Sequence, residues 1–184
     1  MSISVRDAMR PFTKPALIGL VTVIAFVGGA WISGTFFSNA APVQPIEFSH
    51  RVHAGENQIP CQYCHVYADK SASAGVPSVN KCVGCHRQTG GIAAVRDRPE
   101  IEKLTAYWED QEPIPWVKVH DVADFVHFTH KRHVKAGIEC QECHGPVETM
   151  DRITRVASLE MPWCVDCHTA NQVDNGRDCW TCHK

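Results

Sequence analysis

Five times within 184 residues the chain writes the same pattern, two cysteines separated by two residues with a histidine immediately after. The runs are Cys61-Gln62-Tyr63-Cys64-His65, Cys82-Val83-Gly84-Cys85-His86, Cys140-Gln141-Glu142-Cys143-His144, Cys164-Val165-Asp166-Cys167-His168 and Cys179-Trp180-Thr181-Cys182-His183. They use all 10 cysteines, so none is left for a disulfide framework. Two thiols three residues apart on one turn reach both vinyl groups of a haem, and the adjacent imidazole binds the iron. Zinc sites and thiol redox pairs also use Cys-x-x-Cys, but neither needs histidine in the next position. With 11 histidines in 184 residues, five such placements by chance have odds of about one in a million. The pattern therefore predicts five covalently bound haem c groups, with His65, His86, His144, His168 and His183 as proximal iron ligands.

Haem also answers a difficulty in the composition. Beyond residue 37 the only leucines are Leu104 and Leu159, and large apolar side chains are too sparse for a self-sufficient core. A macrocycle offers a broad apolar surface for the chain to wrap, which predicts a mostly irregular fold with short helices. A formal net charge of −2 leaves no basic footprint for nucleic acid.

The N-terminal region reads differently. Residues 16–37 form a 22-residue stretch without a charge, long enough as a helix to cross the roughly 30 Å of a bilayer's hydrocarbon. Arg6, Arg10 and Lys14 precede it against a single acid, Asp7, which predicts a cytoplasmic N-terminus and a haem-bearing part outside. A signal peptide cleaved near Ser38-Asn39-Ala40 is the competing reading, but signal cores usually hold about 7–15 apolar residues. The uncleaved anchor is preferred. Gly19, Thr22, Ala25, Gly29 and Ser33 recur at helical spacing and give it a small-residue face for another membrane helix.

An internal repeat organises the remainder. Phe48-Ser49-His50-Arg51-Val52-His53 precedes Cys61, and Phe128-Thr129-His130-Lys131-Arg132-His133 precedes Cys140, 80 residues later. The expected organisation is a cytoplasmic N-terminus 1–15, an anchor 16–37, a linker 38–45, a dihaem module 46–95, a connection 96–115 and a trihaem module 116–184. Within the connection a helix is expected from Pro99 to Gln111, with Ile101, Leu104 and Trp108 on one face. Pro113 and Pro115 stop it.

Six histidines remain beside the proximal five: His50, His53, His120, His127, His130 and His133. They suffice to close the second axial position of every iron. Imidazole on both faces gives a six-coordinate, low-spin haem suited to electron exchange, whereas an enzyme acting on a small molecule keeps a position open. Electron transfer without catalysis is the preferred reading. The alternatives are a multihaem reductase of a small nitrogen or sulfur oxyanion, and a small quinol dehydrogenase serving a periplasmic reductase.

The second module, from Phe128 through His183, resembles triheme cytochromes of the c7 type. The resemblance implies that His130 ligates the haem on Cys140 and Cys143, that His133 reaches the haem on Cys179 and Cys182, and that His50 serves the haem on Cys61 and Cys64. His53 and His120 then remain for the haems on Cys82/Cys85 and Cys164/Cys167, in either order, with His127 surplus. The c7 pattern places a histidine just before its middle attachment site, where this chain has Met161, an alternative distal ligand.

Taken with the anchor and the Trp116-Val117-Lys118-Val119-His120 segment, the motifs resemble the pentahaem cytochrome subunit of alternative complex III. That implies a respiratory or photosynthetic complex of the bacterial cytoplasmic membrane with integral membrane and iron–sulfur subunits. It implies electron delivery on the periplasmic side to a monohaem cytochrome, another carrier or a terminal oxidase.

Overall fold

The computed structural model describes residues 10–37, 41–87, 91, 92 and 98–183. In α1, Arg10–Phe37, the side chains described are those of residues 17–31. Residues 1–9 of the expected cytoplasmic segment 1–15, the stretch 38–40 and the side chains at both ends of the apolar window 16–37 fall outside the description. Among the described residues no helix is long and apolar enough to cross a membrane. Leu17 through Trp31 carry exposed apolar side chains around the helix, with Phe26 and Trp31 78% and 72% exposed. The Thr22 hydroxyl donates to the Ile18 carbonyl one turn back.

Residues 41–184 form a second unit. No β-strand occurs among its described residues. In chain order come a π-helical turn Arg51–Glu56, α2 Cys61–Cys64, α3 Val79–Val83, α4 Pro99–Glu109, α5 His130–Lys135, α6 Cys140–His144, a 3-10 turn Val147–Thr149, α7 Met161–Ala170 and α8 Cys179–Cys182. Most are a single turn. Helices this short are marginal on their own, and each attachment motif forms one, begins at the end of one or, for the fourth, lies within the longer α7.

The apolar core is correspondingly thin. Ile46, Val83, Leu104 and Ile114 are buried together, with Val79, Cys82, Ile101, Tyr107 and Trp116 packed around them. No described side chain is fully enclosed by protein alone. The helix α4 matches the expected one except at its end, where Gln111 turns to a left-handed φ of 56° before Pro113. Ile101 and Leu104 face the core as expected, but Trp108 is 40% exposed and Tyr107 takes the packed place.

The halves of this unit are stitched by polar contacts between the repeat segment of the first and the residues behind the third motif. The Ser49 hydroxyl donates to Asp151 over 2.6 Å, the Arg51 guanidinium donates to the same carboxylate, and Arg152 pairs with Glu47. The Arg51 N–H donates to the Met150 carbonyl at 2.9 Å.

Candidate haem-binding sites

Three motifs start where an extended residue enters a helical turn, and the second and fourth begin inside helices that an extended residue opens. Pro60, Glu139 and Asp178 hold extended backbone before α2, α6 and α8, and Glu160 does so before α7. The turn then brings the motif histidine back over the first cysteine. The N–H groups of His65, His86 and His183 donate to the carbonyls of Cys61, Cys82 and Cys179 over 2.8–2.9 Å. All ten cysteines are free thiols. Burial, foremost, pushes the thiols of Cys64, Cys82, Cys140, Cys143 and Cys164 up from the ordinary value, so they stay protonated.

The histidines are oriented through Nδ1. His65 donates from this atom to the Gly75 carbonyl at 2.6 Å, His168 to Gly176 at 2.7 Å and His183 to Phe125 at 3.3 Å. Among the spare histidines, His53 donates to Ser49 at 2.8 Å, His133 to Thr129 at 2.9 Å and His130 to Ala72 at 2.8 Å. With Nδ1–H held by a carbonyl, the Nε2 lone pair is left for a metal, and the backbone fixes the tautomer and ring direction. Gly75 suits its role because its φ of 73° lies in the left-handed region that disfavours side chains. Three ring nitrogens, His50 Nδ1, His86 Nδ1 and His120 Nε2, are buried without a protein partner.

Imidazoles then face one another in pairs. Ring centres of His53 and His86 are 5.9 Å apart, those of His130 and His144 6.2 Å, and those of His133 and His168 6.1 Å. Two imidazoles on opposite sides of one metal, each bonded at about 2 Å with roughly 1.1 Å more to the ring centre, stand about 6 Å apart. The pairs fit a single iron between them. His50 is half-buried beside His65 and His53, and this burial with their like charge lowers it to about 4. His144 is likewise pushed down to about 4, first by burial and then by His120, His130 and His65.

Not every ligand implied by the c7 resemblance has the partner expected. His133, expected at the haem on Cys179 and Cys182, faces His168 of the fourth motif. The reason is local: α5 holds His130 and His133 one turn apart, so they reach adjacent sites. His120 stands 4.3 Å from His144 in an edge-on arrangement, too close for the two to flank one iron. At the fifth motif the His127 N–H donates to the Cys182 carbonyl over 2.7 Å, and Phe125 stacks on His183 with centres 5.6 Å apart. Met161 is 67% exposed.

One element of the site escaped sequence reasoning as a functional part. Phe48 meets His50 edge-on at 4.8 Å and 87°, and lies over His53 at 4.3 Å and 27°. Phe128 treats His130 and His133 alike, at 4.9 Å and 85° and at 4.6 Å and 30°. The repeat preserves a three-ring geometry. The phenylalanine is the spacer that aims two imidazoles apart, and its fixed place before each pair was the available signal.

The residues fit the group that the motifs call for. Among the described residues no three or more His, Cys, Asp or Glu side chains converge as a metal cage. A haem requires only two axial ligands, because the porphyrin supplies the other four nitrogens. Paired thiols and facing imidazoles meet the remaining demands.

Comparison with known proteins agrees. Residues 126–184 match the family described as cytochrome c7 and related cytochrome c. The chain is also similar to the multiheme cytochrome c subunit of menaquinone reductase from Nitratidesulfovibrio vulgaris, 25% identical over 197 aligned positions that cover 92% of this chain and 89% of that protein. Residues 126–184 are thus similar to cytochrome c7 and related cytochrome c, and the chain over most of its length is similar to a multiheme cytochrome c subunit.

Proposed function

We propose that the chain is the membrane-anchored pentahaem electron-transfer subunit of a quinone-linked oxidoreductase, of the kind exemplified by alternative complex III. The observation that carries this is the facing of imidazoles about 6 Å apart, which leaves those sites closed to a substrate. Bound haem c supplies one-electron chemistry. The chain's residues attach it through Cys61, Cys64, Cys82, Cys85, Cys140, Cys143, Cys164, Cys167, Cys179 and Cys182, and ligate it through five proximal histidines. In the proposed distal set His50 serves His65, His53 serves His86, His130 serves His144 and His133 serves His168. The segment from His120 to His127, bonded to the fifth motif, serves His183.

In this reading residues 16–37 cross the bacterial cytoplasmic membrane with the haem part on the periplasmic side. Quinone chemistry belongs to integral membrane and iron–sulfur partners. A periplasmic cytochrome or another soluble carrier completes the circuit. The direction of flow is set by those partners, and the relative's name, a menaquinone reductase, supports delivery of electrons toward quinone as the second reading.

The test is purification from membranes with partner subunits retained, followed by mass analysis and stopped-flow spectroscopy. A chain carrying five haems and the uncleaved anchor, reduced by menaquinol only when its partners are present, is expected under the first reading. Menaquinone-dependent oxidation of haems reduced by a cytochrome supports the second. A mature N-terminus near Ala40 contradicts the anchor, and quinol oxidation by the isolated subunit contradicts the partner assignment.

A further inference from the structure

We infer that the five attachment motifs neighbour one another in the order second, first, third, fourth, fifth, so the Cys82–Cys85 site ends the array and the Cys61–Cys64 site joins its halves. This rests on reading the motifs as haem sites. Sequence order alone would place the second motif beside the third.

The first two motifs meet directly. The Lys81 ammonium stands over the Tyr63 ring, 4.1 Å from its centre, joining the residue before Cys82 to one between Cys61 and Cys64. Lys81 lies in α3 directly before Cys82, so the contact sets the second motif against the first.

The junction with the second half runs through the first motif. Behind the first motif, the carbonyls of Ser71 and Ala72 accept from the N–H groups of Lys131 and His130, both at 3.0 Å. Ala72 also accepts from the His130 ring at 2.8 Å. That ring faces His144 at 6.2 Å, so the imidazole that closes the third site is seated on the loop of the first. Further on, His133, one turn after His130 in α5, faces His168 at 6.1 Å and so sets the fourth site beside the third, and the His168 ring donates to the Gly176 carbonyl just before the fifth motif at 2.7 Å.

The second motif is engaged elsewhere. Val83 is buried with Leu104 and Ile114, and Cys82 packs on the same cluster, so the connecting segment covers this site. It therefore sits at one end of the array, with the fifth motif at the other.

The experiment uses the full-length haem-loaded protein. Mass analysis first counts haems, and fewer than five counts against the reading of the motifs, separately from their order. His53→Met and His50→Met then replace an imidazole at the second and first sites by a thioether, raising that haem's potential. At a poise where only the altered haem is ferrous and diamagnetic, electron paramagnetic resonance reads which other haems lose magnetic coupling. For His53→Met, loss is expected in the first-site signal alone, with the third-site signal unchanged. For His50→Met, loss is expected at both the second and third sites. A changed third-site signal in His53→Met overturns the order. Should either variant load haem poorly, iron–iron distances in a structure of the unaltered loaded protein decide: first to third shorter than second to third is expected, and the reverse overturns the inference.

Discussion

Six histidines, His53, His65, His130, His133, His168 and His183, donate from Nδ1 to backbone carbonyls, and this turns a flexible side chain into a directed ligand. The carbonyl fixes which nitrogen bears the proton, and the phenylalanine before each His-x-x-His pair fixes the ring direction. For His133 the consequence is specific. His133→Ala should leave all haems attached, because attachment depends on cysteines, yet convert one haem to a high-spin or water-ligated form. That haem should be the one on Cys164 and Cys167, which a second substitution at His168 would identify by abolishing the same new signal. Retention of an all-low-spin spectrum in His133→Ala would contradict the pairing. The grouping of each cysteine pair with its following histidine was legible in sequence because covalent haem attachment demands those residues in consecutive positions. The distal pairings were not, since they depend on distances across space. The partner of His133 shows it: the resemblance implied the fifth motif, whereas the one-turn geometry of α5 sets it against the fourth.

Single-turn helices gain little from backbone hydrogen bonds alone, so tertiary contacts decide whether they persist. The π-helical turn Arg51–Glu56 illustrates the dependence. A Cβ added at Gly55 would fall 2.3 Å from the Glu148 carbonyl oxygen of the 3-10 turn, and backbone cannot step aside as a side chain would. Gly55→Ala is therefore expected to cost about 1–3 kcal/mol through overpacking, read as a lower denaturation midpoint. A variant as stable as the parent would show that the two turns do not pack this closely. Because the displaced turn carries His53, the second site should also lose part of its low-spin signal. The helix α4 was legible from its leading Pro99 and its apolar spacing, and only its last residues and the outward face of Trp108 were missed. No pattern in the sequence announced the π-helical turn, because its geometry is imposed by the contact of residue 55 with residue 148, far apart in the chain.

For the whole molecule, the scarcity of enclosed side chains means that stability is tied to the cofactor and to the neutral imidazoles around it. Burial and neighbouring histidines hold the neutral forms of His50 and His144 down to about 4, below the ordinary 6.5. Between these values the unfolded chain takes up protons that the folded chain refuses. Stability is therefore full above pH 6.5 and declines as pH falls from there toward about 4. Ligation to iron acts in the same direction, because a bound imidazole also refuses the proton. Denaturant midpoints measured across this window should fall toward acid, and a flat or rising profile would contradict the burial of these rings. The irregular, helix-poor architecture was legible from the ratio of attachment motifs to apolar residues, while the seating of one half on the other through Ser49, Arg51 and Asp151 was not, since exposed polar residues carry no periodic signal.

In the proposed function, closure of every iron by two protein ligands makes the chain a conductor of electrons, where an enzyme would keep one axial position open. The most direct measurement is the electronic and paramagnetic resonance spectrum of the fully oxidised, full-length protein, followed by carbon monoxide addition after reduction. The expected result is five low-spin haems and negligible carbon monoxide binding. A high-spin component, with stoichiometric carbon monoxide binding to one haem, would contradict the account.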